Sequence, residues 1–101
     1  MKYYSILDVS PTTNEWIPEY LSATNNLVKK YGGKYIVRTP DHIQLEGNRE
    51  KVTLRIILEW PSKKAAQDFM SDPDYIPHLQ ARTKGSISNH YLVKGNDDFA
   101  Q

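Results

Sequence analysis

The sequence predicts an α+β domain in which helices cover one face of a four-stranded antiparallel sheet. Three observations carry this. The apolar pattern changes period along the chain in the order strand, helix, strand, strand, helix, strand. One stretch, "KVTLRIILEW" (Lys51 to Trp60), alternates with period two over ten residues, placing Val52, Leu54, Ile56, Leu58 and Trp60 on one side. The chain has 101 residues, enough for one domain with a modest core.

Taken in order, "YYSILDV" (Tyr3 to Val9) is aromatic and β-branched and stops at Ser10-Pro11, which predicts a first strand. A helix follows, with Thr13 or Asn14 as its cap and apolar residues at Ile17, Tyr20, Leu21, Ala23, Leu27, Val28 and Tyr31. Pro18 fits best in a first turn, so the regular helix starts near Ile17 or Pro18. Gly32-Gly33 supplies its left-handed stop. "KYIVRT" (Lys34 to Thr39) is a second strand, resuming after Pro40-Asp41 in "HIQLEG" (His42 to Gly47). "NREK" is a hairpin loop, and Lys51 to Trp60 is the third strand. Ser62 caps a helix over "KKAAQDFM", and Asp72 before Pro73 opens a further short one. "SISNHYLVKG" is the last strand. Residues 1–95 are read as one domain and 96–101 as a frayed tail. This order is that of a ferredoxin-like βαββαβ unit.

Period two also divides the residues between sheet faces. It sends Arg55, Ile57 and Glu59 to the face without helices, together with Ile36, Arg38, His42, Gln44, Glu46, His90 and Leu92, and assigns Tyr35, Val37, Ile87, Tyr91 and Val93 to the core. A face so mixed is too charged for a core and too aliphatic for water, which suits a sheet closed over by a second copy of the chain.

Composition excludes several function classes. A net charge of +1, with Lys and Arg interspersed among Asp and Glu, argues against nucleic-acid binding. Aromatic side chains on the open face of the third strand, which RNA-recognition modules of this topology use, are replaced by Arg55, Ile57 and Glu59. The absence of cysteine removes disulfides, thiol chemistry and thiolate metal sites. His42, His78 and His90 share no ligand spacing, so no metal and no cofactor is expected. The N-terminus lacks an apolar signal run and nothing approaches a membrane span, which points to a soluble, cytoplasmic protein.

Four stretches, "VKKYGGKYIVR" (Val28 to Arg38), "LEG" (Leu45 to Gly47), "IILEWPSKKAAQDFMSDPDY" (Ile56 to Tyr75) and "LVKG" (Leu92 to Gly95), resemble the DUF1330 family of small bacterial proteins of unknown function. That family is similar to the dimeric α/β-barrel superfamily, whose ferredoxin-like subunits pack sheet against sheet. The resemblance implies a homodimer, and places the family's Arg on Arg38, its "EG" on Glu46 and Gly47, its Glu on Glu59 and its helix-end Tyr on Tyr75. Thr39-Pro40 stands where the family often has a glycine pair, and "NREK" where it often has a tryptophan.

The resulting expectation is a homodimer, with Arg55 and Glu59 facing its interior and a polar cavity between the sheet and the helix-lined edge of each subunit, that binds or transforms a small organic acid or carbonyl compound. Arg38, Arg55 and Tyr75 are the candidate ligand-binding residues; Glu46, Glu59 and His42 are the candidate proton-transfer residues. Two alternatives stand beside it: the charges pair with one another as structural ion pairs, and the protein is a non-catalytic binding or regulatory module.

Overall fold

Among the described residues the elements run β1 (Tyr3–Pro11), α1 (Ile17–Lys30), β2 (Lys34–Thr39), β3 (Leu54–Trp60), α2 (Lys63–Ser71), α3 (Ile76–Lys84) and β4 (Ser86–Lys94). The computed structural model describes residues 1–48 and 51–101. The sheet is antiparallel in the order β2-β3-β1-β4, the ferredoxin-like α+β arrangement predicted from the sequence.

The helix boundaries follow from local chemistry. Pro18 lies in the first turn of α1, but neither Thr13 nor Asn14 caps it. The entry is held instead through the Gly85 carbonyl, which accepts from the Thr12 and Thr13 backbone N–H groups and from the Trp16 side chain, Nε1, at 3.0 Å. Gly32, at φ +75°, ends α1 in the left-handed region as predicted. Gly33 is required for a different reason, since a Cβ there would lie 2.6 Å from the Trp60 ring. Ser62 Oγ caps α2 by accepting from Ala65 N–H at 3.0 Å. Asp72 opens a turn that leads into α3, accepting from Asp74 N–H at 2.7 Å through its side chain and from Tyr75 N–H at 2.9 Å through its carbonyl.

The core lies between the helices and one sheet face, where Leu7, Val9, Ile56, Leu58 and Trp60 meet Val28, Ala66, Phe69 and Tyr75. Phe69 stacks between Trp60 and Tyr75, with ring centres 5.0 and 4.2 Å away.

Four sequence expectations are corrected. β1 continues through Pro11, which pairs with Ser86 at the strand end, where a missing N–H costs little. The strand predicted over His42 to Gly47 does not form; residues 41–48 are an exposed loop. β3 begins at Leu54, and the predicted hairpin at "NREK" falls partly on residues 49–50, outside the described residues. The last correction concerns faces. A register shift between Tyr35 and Val37 makes Val37 pair with Ile57 and Arg38 with Ile56, so Arg38 is on the helix side and Val37 on the open side. In β4 the whole assignment inverts: His90 and Leu92 stand opposite Leu7 and Ser5 on the helix side, while Ile87, Tyr91 and Val93 are exposed on the open face.

Candidate functional site

The open face is organised in rows. Val37, Ile57, Ile6 and Tyr91 stand side by side across all four strands as an apolar row. On one side of it Arg55 Nη1 donates to Asp8 Oδ1 at 2.8 Å, with Asn89 beyond. On the other, Glu59 accepts from Tyr4 Oη at 3.2 Å and from Lys2 Nζ at 3.0 Å, which holds its carboxyl below the usual range, the lysine being the larger cause. Arg55 and Glu59 are thus each engaged by a neighbour from β1 or the N-terminus, on either side of Ile57. Cross-strand pairing of this kind accommodates charges on a half-exposed sheet face.

The opposite face carries a cavity beneath α1 and α3, with about 80 Å³ of space for water-molecule centres. Its walls are apolar, from Leu7, Val9, Ile56 and Trp16 among others, and its polar residues are Tyr20, Tyr35, Tyr75, Arg38, Arg82 and His90. Two arginines and no carboxylate line it.

Three of these residues, Tyr20, Tyr75 and Arg82, form a buried polar triad. Arg82, 3% exposed, donates from Nε to Tyr20 Oη at 3.0 Å, and the Tyr20 and Tyr75 hydroxyls are 2.9 Å apart. Burial pulls the Arg82 guanidinium towards neutrality, but the surrounding phenols Tyr20 and Tyr75 outweigh it and keep the charge firmly on. Burial, reinforced by Tyr75, raises Tyr20, so its hydroxyl remains a protonated donor near neutral pH. Among the described residues no carboxylate pairs with Arg82.

His90 borders the same cavity. Its Nε2 is 2.8 Å from Ser5 Oγ, which also accepts from Trp60 Nε1 at 2.8 Å. Burial first, and the Arg82 charge second, push the imidazole down to about 4, so it is neutral at physiological pH. Arg38 stands at the cavity edge, its guanidinium 3.8 Å from the Tyr35 ring centre and Nη1 bonded to Asn25 Oδ1 at 2.9 Å.

The structure therefore brings Arg38 and Tyr75, of the six sequence candidates, to one cavity. Arg55 and Glu59 lie across the sheet from it. His42 and Glu46 sit in the exposed 41–48 loop, and neither hydrogen-bonds to another candidate. Sequence reasoning missed Arg82, read Tyr20 only as an apolar helix position and put His90 on the opposite face. One signal was present: Tyr75, Leu79 and Arg82 follow the i, i+4, i+7 spacing of a covered helix stripe, and an arginine in such a stripe is out of place.

Comparison with known proteins bears on the chain as a whole. The family described as "Domain of unknown function (DUF1330)" matches residues 2–96. The chain belongs to that family. No curated protein matches it. Among solved structures, a DUF1330 chain such as this one is similar to a protein of unknown function from Rhodopseudomonas palustris, at 18% identity and a TM-score of 0.77 over 95% of this chain and 83% of that one. A dimeric ferredoxin-like protein of unknown function from Jannaschia sp. is 14% identical, with a TM-score of 0.64 over 90% and 98%. A variant of SnoaB, a cofactor-independent oxygenase from Streptomyces nogalater, is 16% identical, with a TM-score of 0.52 over 98% of each chain. At these identities the likeness is one of fold. No helix among the described residues is long and apolar enough to cross a membrane.

Proposed function

We propose that this DUF1330 protein is a homodimeric binding protein that takes a small organic acid or carbonyl compound into the cavity beneath the helices of each subunit. The observation that carries the reading is the cavity itself: apolar walls with a few convergent donors, the composition of a small-molecule site. The candidate proton-transfer residues Glu46, Glu59 and His42 do not line it, which favours binding over proton abstraction. Support for the dimer comes from the open face, where Ile57, Ile6 and Val37 continue into Tyr91, 65% exposed, with Ile87 and Val93 beside it. The dimeric state of the Jannaschia protein points the same way.

Two measurements test this. In thermal-shift assays, small organic acids or carbonyl compounds at millimolar concentration raise the Tm, and Leu21→Trp, at the cavity edge, abolishes the rise; a flat response across both compound classes rules the cavity out as a binding site. In sedimentation equilibrium the wild type is a dimer at micromolar concentration and Ile57→Asp is a folded monomer. A monomeric wild type refutes the assembly.

A further inference from the structure

We propose that the ligand is a monocarboxylate and that Arg82 is its counter-charge; this rests on the cavity reading above and selects the acid over the carbonyl compound. The argument is a count of donors and charges. A guanidinium carries five N–H donors and accepts nothing. At Arg82 one of them, on Nε, is spent on Tyr20 and another faces the Tyr75 oxygen, so the acceptors beside it are two phenol oxygens and the remaining donors are free. The two phenols own two protons, and the single hydrogen bond between them uses one. Whichever way that bond points, one O–H remains for a guest.

The cavity lining therefore keeps a few donors free and carries a positive charge that no carboxylate among the described residues compensates. Burying such a charge is costly unless a counter-ion arrives with the guest. The lining residues supply none: Arg38 adds a second cation, and His90 is neutral. A neutral carbonyl oxygen can accept from two donors but leaves the charge uncompensated. A carboxylate satisfies the guanidinium and the free phenol together, and can do so bidentately. Around the triad, Leu7, Ile56 and Trp16 offer an apolar seat, so the rest of the guest is a short alkyl or aryl group without a second charge.

The test sets acids against their amides, which match in shape and lack the charge: butyrate, isovalerate, benzoate and phenylacetate against butyramide, isovaleramide, benzamide and phenylacetamide, by calorimetry on the wild-type protein. At least one acid binds tenfold or more tightly than its amide, Arg82→Gln abolishes that preference, and Arg82→Lys retains part of it. Should an amide equal its acid, the carboxylate assignment fails while the cavity reading survives. If no probe of either kind binds, both fall. Because the preference is read first on the wild type, a poorly folding Arg82→Gln leaves the proposal open to refutation.

Discussion

Arg38 stacks its guanidinium over the ring of Tyr35, three residues earlier on the same strand. In a regular strand, residues three apart lie on opposite faces. The register shift at Ile36 adds a residue on the β2 side of the β2–β3 ladder and returns Arg38 to the face of Tyr35. There it bonds to Asn25 on α1 and tethers the edge strand to the helix at the rim of the cavity.

A cation over a partly exposed tyrosine contributes about 0.5–1 kcal/mol. Arg38→Ala is expected to lose that much or slightly more in urea denaturation, because the Asn25 bond goes too. Arg38→Met keeps most of the apolar stem and separates the charge from the packing. If Met matches the wild type, the stacking is simple contact and carries no cation–π component.

The same bulge shows where the sequence stopped being legible. The periods of two and 3.6 were sufficient for element order and for the α1 stop, because caps, glycines and apolar stripes are local signals. Face assignment is not local. Ile36 is an ordinary β-branched residue, and nothing in "KYIVRT" marks the inserted position. In β4 the larger apolar residues, Ile87, Tyr91 and Val93, looked like core, yet the helix side holds Ser86, Ser88, His90 and Leu92. Those polar groups are tolerated because each is paired: Ser86 Oγ donates to the Arg82 carbonyl at 2.5 Å or to Ser88, and His90 meets Ser5. A sequence rule that sends apolar residues inward fails where the inner face has hydrogen-bond partners and the outer face is suited to cover by a second sheet. The cavity was hidden for the same reason, since Tyr20, Tyr75, Arg82 and His90 come from α1, the turn before α3, α3 itself and β4, and only the fold brings them together.

His90 supplies a prediction with a definite sign. Its folded pKa is pushed down to about 4, while in the unfolded chain it titrates near the ordinary histidine value of 6.5. Between those values the unfolded chain holds more protons, so acid favours unfolding there. The stabilisation is complete above about 6.5 and is lost as pH falls towards 4. His90→Gln can keep a bond to Ser5 without titrating. The wild-type Tm should therefore fall relative to His90→Gln by about ten degrees or more between pH 7 and pH 4, since a pKa difference of this size corresponds to roughly 3 kcal/mol. Parallel Tm curves for the two proteins would mean that the imidazole is not held neutral. A proton NMR titration of the ring gives the same answer directly.

Asp72 extends the argument to lower pH and ties stability to the site. Its carboxylate is buried at the junction of α2 and α3, where it accepts from Tyr31 Oη, from Lys30 Nζ at 2.9 Å and from Asp74 N–H at 2.7 Å. These donors, Tyr31 first and Lys30 next, hold it down to about 2, against 3.8 for the unperturbed group. Its contribution is thus whole above about pH 4 and disappears as pH falls through about 2, a window that opens where the His90 window closes. Asp72→Asn keeps the size and removes the charge, so its Tm at pH 7 should lie roughly 5–10 °C below the wild type. That gap should narrow as both are acidified below pH 4, because the wild type then loses what the variant never had. Tyr31→Phe removes the leading donor and should move the wild-type acid limb upward in pH. Asp72 also anchors the turn before Tyr75, whose N–H donates to its carbonyl, so loosening the junction displaces the Tyr75 hydroxyl from Tyr20. A variant that melts earlier at pH 7 but shows a gap independent of pH would place the loss in packing and not in the carboxylate's charge.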